Sequence, residues 1–366
     1  MTLVPTWSRP AGRAGGLTVL AVADSTERVG LSVAMLDRLS VPGTTVGLAV
    51  VRTGHTPSPA RIRNETEGTR QAGLRVPVLS ARQVRRLVRR RRPDAVVLNC
   101  SGPLVESLSW SMRSVIRRYR PVVVSALPAL AVPAVEGEWL HRSRADLVVA
   151  HSHREVAEYT ALGEKLGARG EVGLGSLPLG RREADQEARR DRVVYAAHPG
   201  VPDTERARQS VLLALAELAG NRPDLEVVVH LGRERNAGPE LVVTWDALLA
   251  EGRVGEHAPL FRSGSLVDQL GRARGLVAVG STAVLEALAH RVPALVLTDF
   301  GVGPAQGNAV FEDSGLFGTL ADVRAARFRR PNRYWGERNH FHPPGQDDWV
   351  ERLYDLHERG RRGELA

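Results

Sequence analysis

Gly275-Leu-Val-Ala-Val-Gly280-Ser281-Thr282-Ala-Val-Leu-Glu286-Ala-Leu-Ala-His290-Arg291-Val-Pro293-Ala-Leu-Val-Leu-Thr298 reads as a strand, a sharp turn, a helix and a second strand. Gly280 frees the backbone to leave the strand, and Ser281 or Thr282 is the residue type that caps a helix. The N–H groups and positive dipole end of such a helix suit a phosphate. Thr282, Glu286 and His290 recur every four residues as a polar stripe, while Val284, Leu285 and Leu288 supply the buried side. The competing reading is an ordinary solvated helix face.

Working outward, 366 residues exceed one ordinary core and imply two domains. Hydrophobic residues make up 43% and charged residues 25%, the composition of a globular protein rather than a disordered chain or a membrane bundle. No apolar run is long enough to span a bilayer, and the residues before Leu17 lack a secretory cleavage pattern, so the expected location is cytoplasmic. Cys100 is the only cysteine, which excludes an intramolecular disulfide and a thiolate-ligated metal. The net charge of +9 comes from arginine, since all but Lys165 of the 50 basic residues are arginines. Arg82, Arg85, Arg86, Arg89, Arg90, Arg91 and Arg92 crowd one helical segment around Val84, Leu87 and Val88. A solvated helix face comes first, and second comes a surface that meets a polyanionic acceptor or makes peripheral contact with an anionic membrane through Arg82 to Arg92. Nucleic acid ranks a distant third because no aromatic residues interleave with the arginines, and none is expected as a partner.

Apolar runs at Leu17–Ala23, Val46–Val51, Ala95–Leu98, Val122–Val124 and Leu147–Ala150 alternate with helical segments, as a parallel sheet requires. Asp24 is followed by no Gly-x-Gly-x-x-Gly, so a dinucleotide is not expected under the first helix. The pattern loosens between Gly163 and Asp191 and restarts at Val193, giving a second α/β layer; two such layers in tandem imply a ligand cleft. Beyond Thr298, a glycine-rich loop from Asp299 to Ala309 leads into a helix expected to end near Gly315. The expected boundaries are a flexible N-terminus at 1–16, a first domain at 17–175, a linker at 176–191, a second domain at 192–345, and a C-terminal helix at 346–366 crossing back to the first.

Ser281-Thr282-Ala-Val-Leu-Glu286-Ala-Leu with Pro293 resembles the Ser-Thr-x-x-Leu-Glu-Ala-Leu segment of GT-B-fold glycosyltransferases, especially those of capsular polysaccharide synthesis. Asp146 to Ser152 with Glu155 and Tyr159 resembles the last strand-helix unit of their first domain, and Gly175-Ser-Leu-Pro178 their entry into the linker. The resemblance also extends to an uncharacterised family of bacterial glycosyltransferases. It implies an α/β, GT-B fold of two Rossmann-like domains with parallel sheets facing a central cleft. It further implies a metal-independent enzyme with no cofactor beyond a nucleotide-sugar co-substrate, and a glycan or lipid-linked acceptor.

Carried onto this sequence, the resemblance puts the turn at Gly280 with Ser281 and Thr282 on the donor phosphates, Glu286 on the ribose hydroxyls, and Gln306 and Asn308 in a sugar-contacting loop. His198, in His198-Pro199-Gly200, resembles a histidine that assists the leaving phosphate. Arg233 or Arg235 would neutralise that phosphate. An inverting transfer needs a base for the acceptor hydroxyl, with Asp24, Glu136 and Glu138 as candidates. His151 and His153 would need a third ligand to hold a metal, and no Asp-x-Asp is present. One position departs from the family: the glycine expected before Val-Pro is Arg291, which costs backbone energy if a left-handed turn is kept there. The alternatives are a nucleotide-sugar epimerase of the same fold and a non-catalytic GT-B-derived binding protein.

Overall fold

The computed structural model describes residues 16–180, 190–232, 238–255 and 258–365. The chain divides into two compact units, one running to Pro178 and taking in Asn339–Ala366, the other comprising Leu179–Arg338. The expected linker falls partly at 181–189, and Arg233 and Arg235 within 233–237; these positions lie outside the described residues.

The first unit alternates strand and helix throughout. Its first half contains β1 (Thr18–Ala23), α1 (Thr26–Arg38), β2 (Thr45–Val51), α2 (Pro59–Thr66), β3 (Val78–Leu79) and α3 (Ala81–Arg91). Its second half contains β4 (Ala95–Asn99), α4 (Gly102–Tyr119), β5 (Val122–Ala126), α5 (Glu136–Leu140), β6 (Leu147–Ala150), α6 (His153–Leu166) and β7 (Glu171–Leu174). The seven strands are parallel in the order β3-β2-β1-β4-β5-β6-β7. Unbroken apolar runs such as Val19–Ala23 form central strands because both sheet faces are covered. One core holds Val84, Leu87, Leu108, Met112 and Tyr159, and the other holds Val29, Val33, Leu36, Trp349 and Leu353. The last two belong to the C-terminal helix α13 (Trp349–Arg361), which packs against β5, β6 and β7. The glycine-rich segment after Gly163 thus contains a strand. A side chain at Gly175 would come within 2.8 Å of the Trp349 ring, and one at Gly173 would press on Trp349 Cα at 3.2 Å, so these glycines make room for the start of α13.

The second unit begins with β8 (Arg192–Ala196), α7 (Glu205–Asn221), β9 (Glu226–His230), α8 (Pro239–Ala250), β10 (Leu260–Arg262) and α9 (Leu266–Leu270). It continues with β11 (Ala273–Ala278), α10 (Ala283–Ala289), β12 (Ala294–Leu297), β13 (Phe317–Gly318), α11 (Leu320–Arg324) and α12 (Arg333–Arg338). Its six parallel strands run β10-β9-β8-β11-β12-β13, which, counted within the unit, is the 3-2-1-4-5-6 order of a Rossmann sheet. The helix expected to follow the 299–309 loop is instead one short 3₁₀ turn, Ala309–Phe311, and a second 3₁₀ turn, Pro304–Gln306, lies within the loop itself. Asp313 (φ 60) and Gly315 (φ 79) take left-handed conformations, which stops a regular helix from forming between Ala309 and Gly315.

Three helices end on an arginine in the left-handed region that favours glycine: Arg92 (φ 47), Arg120 (φ 52) and Arg291 (φ 58). At Arg291 the expected turn is complete, with Val292 N–H donating to Ala287 O (2.8 Å) and Arg291 N–H to Leu288 O (2.9 Å). These are the two bonds of a Schellman motif. Arg291 is exposed, whereas Arg120 offsets its strain with a two-point ion pair to Asp146 (2.8 and 3.1 Å). Arg291→Gly should therefore stabilise the second unit by about 1 kcal/mol. Arg120→Gly should destabilise the first, because Asp146 loses its counter-charge. Paired denaturant titrations check this contrast in sign.

Candidate functional site

In an open parallel sheet, ligands bind at the carboxyl ends of the strands where the order reverses. In the second unit that point lies between β8 and β11, which pair with Val277 opposite Tyr195. His198 follows β8 and the Gly280–Thr282 turn follows β11, so two separately predicted site segments flank the same switch point. His198 is exposed and opens a turn closed by Val201 N–H donating to His198 O (3.3 Å). Pro199 stands second in that turn and Gly200, at φ 75, third.

The turn after β11 is also where the glycine-rich loop arrives. A side chain at Gly280 would sit 2.0 Å from Gln306 O and 2.7 Å from Gly307 C, so only glycine lets the two backbones touch. The structure thus brings Gly280, Ser281, Thr282 and Gln306 together. Ser281 Oγ accepts from Ala283 N–H (3.1 Å), and Ser281 O accepts from Val284 N–H (3.1 Å). Thr282 makes no such side-chain cap bond. Thr282 is exposed, Glu286 is half-buried one turn further down α10, and His290 is buried, so the polar stripe runs inward at its C-terminal end. Asn308 is fully buried, accepting from Gly303 N–H (2.9 Å) and donating to Gly301 O (3.0 Å). Its amide holds the loop that meets Gly280.

In the first unit the order reverses between β1 and β4. There Asp24 is buried, its Oδ2 accepting from the Ser101 N–H and hydroxyl (both 3.0 Å) and its Oδ1 paired with Arg28 (2.9 Å). It therefore anchors the β4–α4 junction. Beside it, Cys100 is buried, and burial, reinforced by the Asp24 charge, pushes its thiol far above the ordinary range. Glu136 and Glu138 stand on the short helix α5 rather than in an open loop. Glu136 is exposed, whereas Glu138 pairs with the buried Arg142 (2.5 Å), whose Nε donates to Ala126 O (3.2 Å) at the end of β5.

A second polar group gathers at the ends of β6 and β7, much of it invisible to the sequence reading. His151 is buried with Nδ1 2.8 Å from Gly175 O and Nε2 3.0 Å from Leu127 O, so both ring nitrogens are engaged by backbone carbonyls. Burial drives its pKa down, with the two carbonyls opposing. Glu155 is fully buried and accepts from His151 N–H (2.6 Å) and Ala131 N–H (2.9 Å); burial raises its pKa. His340 and His342 enter this group from the returning C-terminal segment. Burial lowers the His340 pKa against the pull of Glu155. Asp347 Oδ1 accepts from His342 Nε2 (3.0 Å), Ser176 Oγ (2.8 Å) and Ser176 N–H (3.1 Å). Burial pushes that carboxyl up, but these donors outweigh it and the net shift is downward. No local motif announces the group, because its members come together from about 190 residues apart.

Among solved structures, a "putative UDP-N-acetylglucosamine 2-epimerase" from Listeria monocytogenes superposes with a TM-score of 0.63 at 12% identity, covering 96% of this chain and 98% of that one. The UDP-GlcNAc 2-epimerase from Neisseria meningitidis, bound to UDP-GlcNAc, gives 0.56 at 11% identity, covering 93% and 100%. UGT73P12 from Glycyrrhiza uralensis, complexed with glycyrrhetinic acid 3-O-monoglucuronide, gives 0.51 at 10% identity, covering 95% and 91%. At such identities the likeness is one of fold, and that fold is GT-B-type, built from two Rossmann-like parallel-sheet units. No curated protein gives a significant sequence match. The family model described as "Putative glycosyltransferase (DUF6716)" matches residues 19–356, nearly the whole chain, and the protein belongs to that family.

Proposed function

We propose that the protein transfers a sugar from a nucleotide-sugar donor to a cell-surface glycan or its lipid-linked precursor, in the cytoplasm and without a metal. The observation that carries this reading is the meeting of the Gly280–Thr282 turn with the Gln306–Gly307 backbone, beside His198, at the switch point of the second sheet. In this reading Ser281 and Thr282 hold the donor phosphates, and Glu286 accepts from the two ribose hydroxyls, a task for which a carboxylate has the acceptors. The acceptor oxygen attacks the anomeric carbon as its bond to the phosphate oxygen breaks. His198 then hydrogen-bonds the departing phosphate, and a first-unit carboxylate takes the hydroxyl proton. Of the three candidates, Glu136 is the exposed one, while Asp24 and Glu138 are held in ion pairs.

The test is a thermal-shift panel of UDP, GDP, CDP, CMP and dTDP. One nucleotide should raise the melting temperature, and Glu286→Ala should weaken its binding roughly 10- to 100-fold while leaving the apo protein folded. Unchanged affinity would refute the ribose role. The several epimerase neighbours favour a second reading, epimerisation without an acceptor. Mass spectrometry separates the two: the transferase yields a glycosylated acceptor, the epimerase a free sugar or an isomerised donor.

A further inference from the structure

We infer that the face of the first unit formed by α3 and α4 docks on an anionic lipid bilayer. The seven arginines from Arg82 to Arg92 are all exposed, and none makes an ion pair with another described residue. The dipole of α3 accounts for some of them, since Arg89, Arg90 and Arg91 occupy its last turn. It does not account for Arg82, Arg85 and Arg86, which lie nearer the positive end of the helix and repel their neighbours four residues on. The capping box of Ser80 with Gln83 and the burial of Val84, Leu87 and Val88 hold the helix despite that repulsion.

The neighbouring helix extends the basic face. Tyr119 at the end of α4 donates from its hydroxyl to Val88 O (3.2 Å), and Arg117 and Arg118 beside it are exposed. Of the acidic groups near this face, Glu106 pairs with His141 (2.8 Å), Asp146 pairs with Arg120 (2.8 Å), and Asp94 accepts from Thr18 N–H (2.7 Å). On the same stripe of α4, three and seven residues before Arg113 and Arg117, stands Trp110, 47% exposed. Arg144 lies over its ring at 3.8 Å, and Leu140, 49% exposed, is on the adjoining segment.

Positive charge alone would suit any polyanion. An exposed tryptophan and leucine beside it favour a bilayer, whose interface takes an indole ring beneath phosphate headgroups. A base-stacking surface would need several exposed aromatic residues among the arginines; α3 has none, and on α4 the exposed one is Trp110, with Arg144 over its ring. The apolar side of α3 is spent on the protein core, so the helix lies on the headgroups without inserting. Among the described residues no helix is long and apolar enough to cross a membrane.

The experiment is co-sedimentation of the full chain with vesicles of phosphatidylcholine alone or with about one third phosphatidylglycerol. Binding should require the anionic lipid and weaken as salt rises from about 0.05 to 0.3 M. Replacing Arg85, Arg86 and Arg89 with glutamine should lower partitioning at least tenfold, and Trp110→Ala should lower it a few-fold, with unchanged melting temperatures. A control replaces Arg206, Arg274 and Arg330 of the second unit with glutamine and should bind like the unaltered protein. Equal loss in that control, equal binding to neutral vesicles, or binding to single-stranded RNA or a sulfated glycan without binding to vesicles would overturn the inference.

Discussion

Gly280→Ala should be the most damaging single methyl group that can be added to the second unit. The new carbon would lie 2.0 Å from the Gln306 carbonyl oxygen and 2.8 Å from that of Gly307. Both obstacles are backbone, so neither can swing aside as a side chain would. Either the 301–309 loop moves away, breaking the Asn308 bonds that shape it, or the unit accepts overpacking worth about 3 kcal/mol. In both cases the expected result is a lower denaturation midpoint and a weakened thermal response to nucleotide. Gly307→Ala is the matched control. Gly307 also has a positive φ, at 66, but its added carbon would meet nothing within 4 Å. That substitution should cost only the backbone strain, about 1 kcal/mol. Equal stabilities for the two variants would mean that the turn and the loop do not touch.

The contrast between these glycines shows what a sequence does and does not disclose. Gly280 could be read as a turn because it lies between an apolar run and a helical period. Its partner, a backbone carbonyl 26 residues later, leaves no trace in composition or spacing. Arg291 was the more legible case: its departure from glycine marked a strained left-handed position, and φ 58 with both Schellman bonds bears that out. The alternation of strands and helices was legible because strands buried on both faces must be apolar throughout. Strand order was not, since 3-2-1-4-5-6 and a simple serial order contain the same runs.

The first unit was harder to read at its polar edge. Arg142 looks like one more arginine of an arginine-rich chain, yet it is buried at 2% exposure and tied to Glu138 and the end of β5. Its role depends on being folded over the sheet, and no periodicity reports that. Asp24 is a candidate base by its place at the end of β1, and in the structure both of its carboxylate oxygens are occupied. A short polar residue at that point serves equally to bind a ligand or to tie the β4 junction, and the residue type is the same for both.

The buried histidines give the first unit an acid sensitivity that can be signed in advance. His151 and His340 have pKa values lowered by burial. Below the unfolded value of about 6.5, the unfolded chain therefore takes up protons that the folded unit resists, and stability falls as pH falls. Each histidine contributes a slope of at most about 1.4 kcal/mol per pH unit. Glu155 works in the opposite direction. Its raised pKa lets the folded state bind a proton before the unfolded chain does, so its burial penalty lightens as pH drops. The carbonyls flanking His151 also soften the cost of charging that ring. His340 should therefore carry most of the effect. Hydrogen exchange of the β6 and β7 amides, compared at about pH 7.5 and 5.5 after correction for intrinsic rates, follows the first unit locally. The unaltered protein should lose protection there at the lower pH, and His340→Leu should lose markedly less. An identical pH response in that variant would place the acid sensitivity elsewhere.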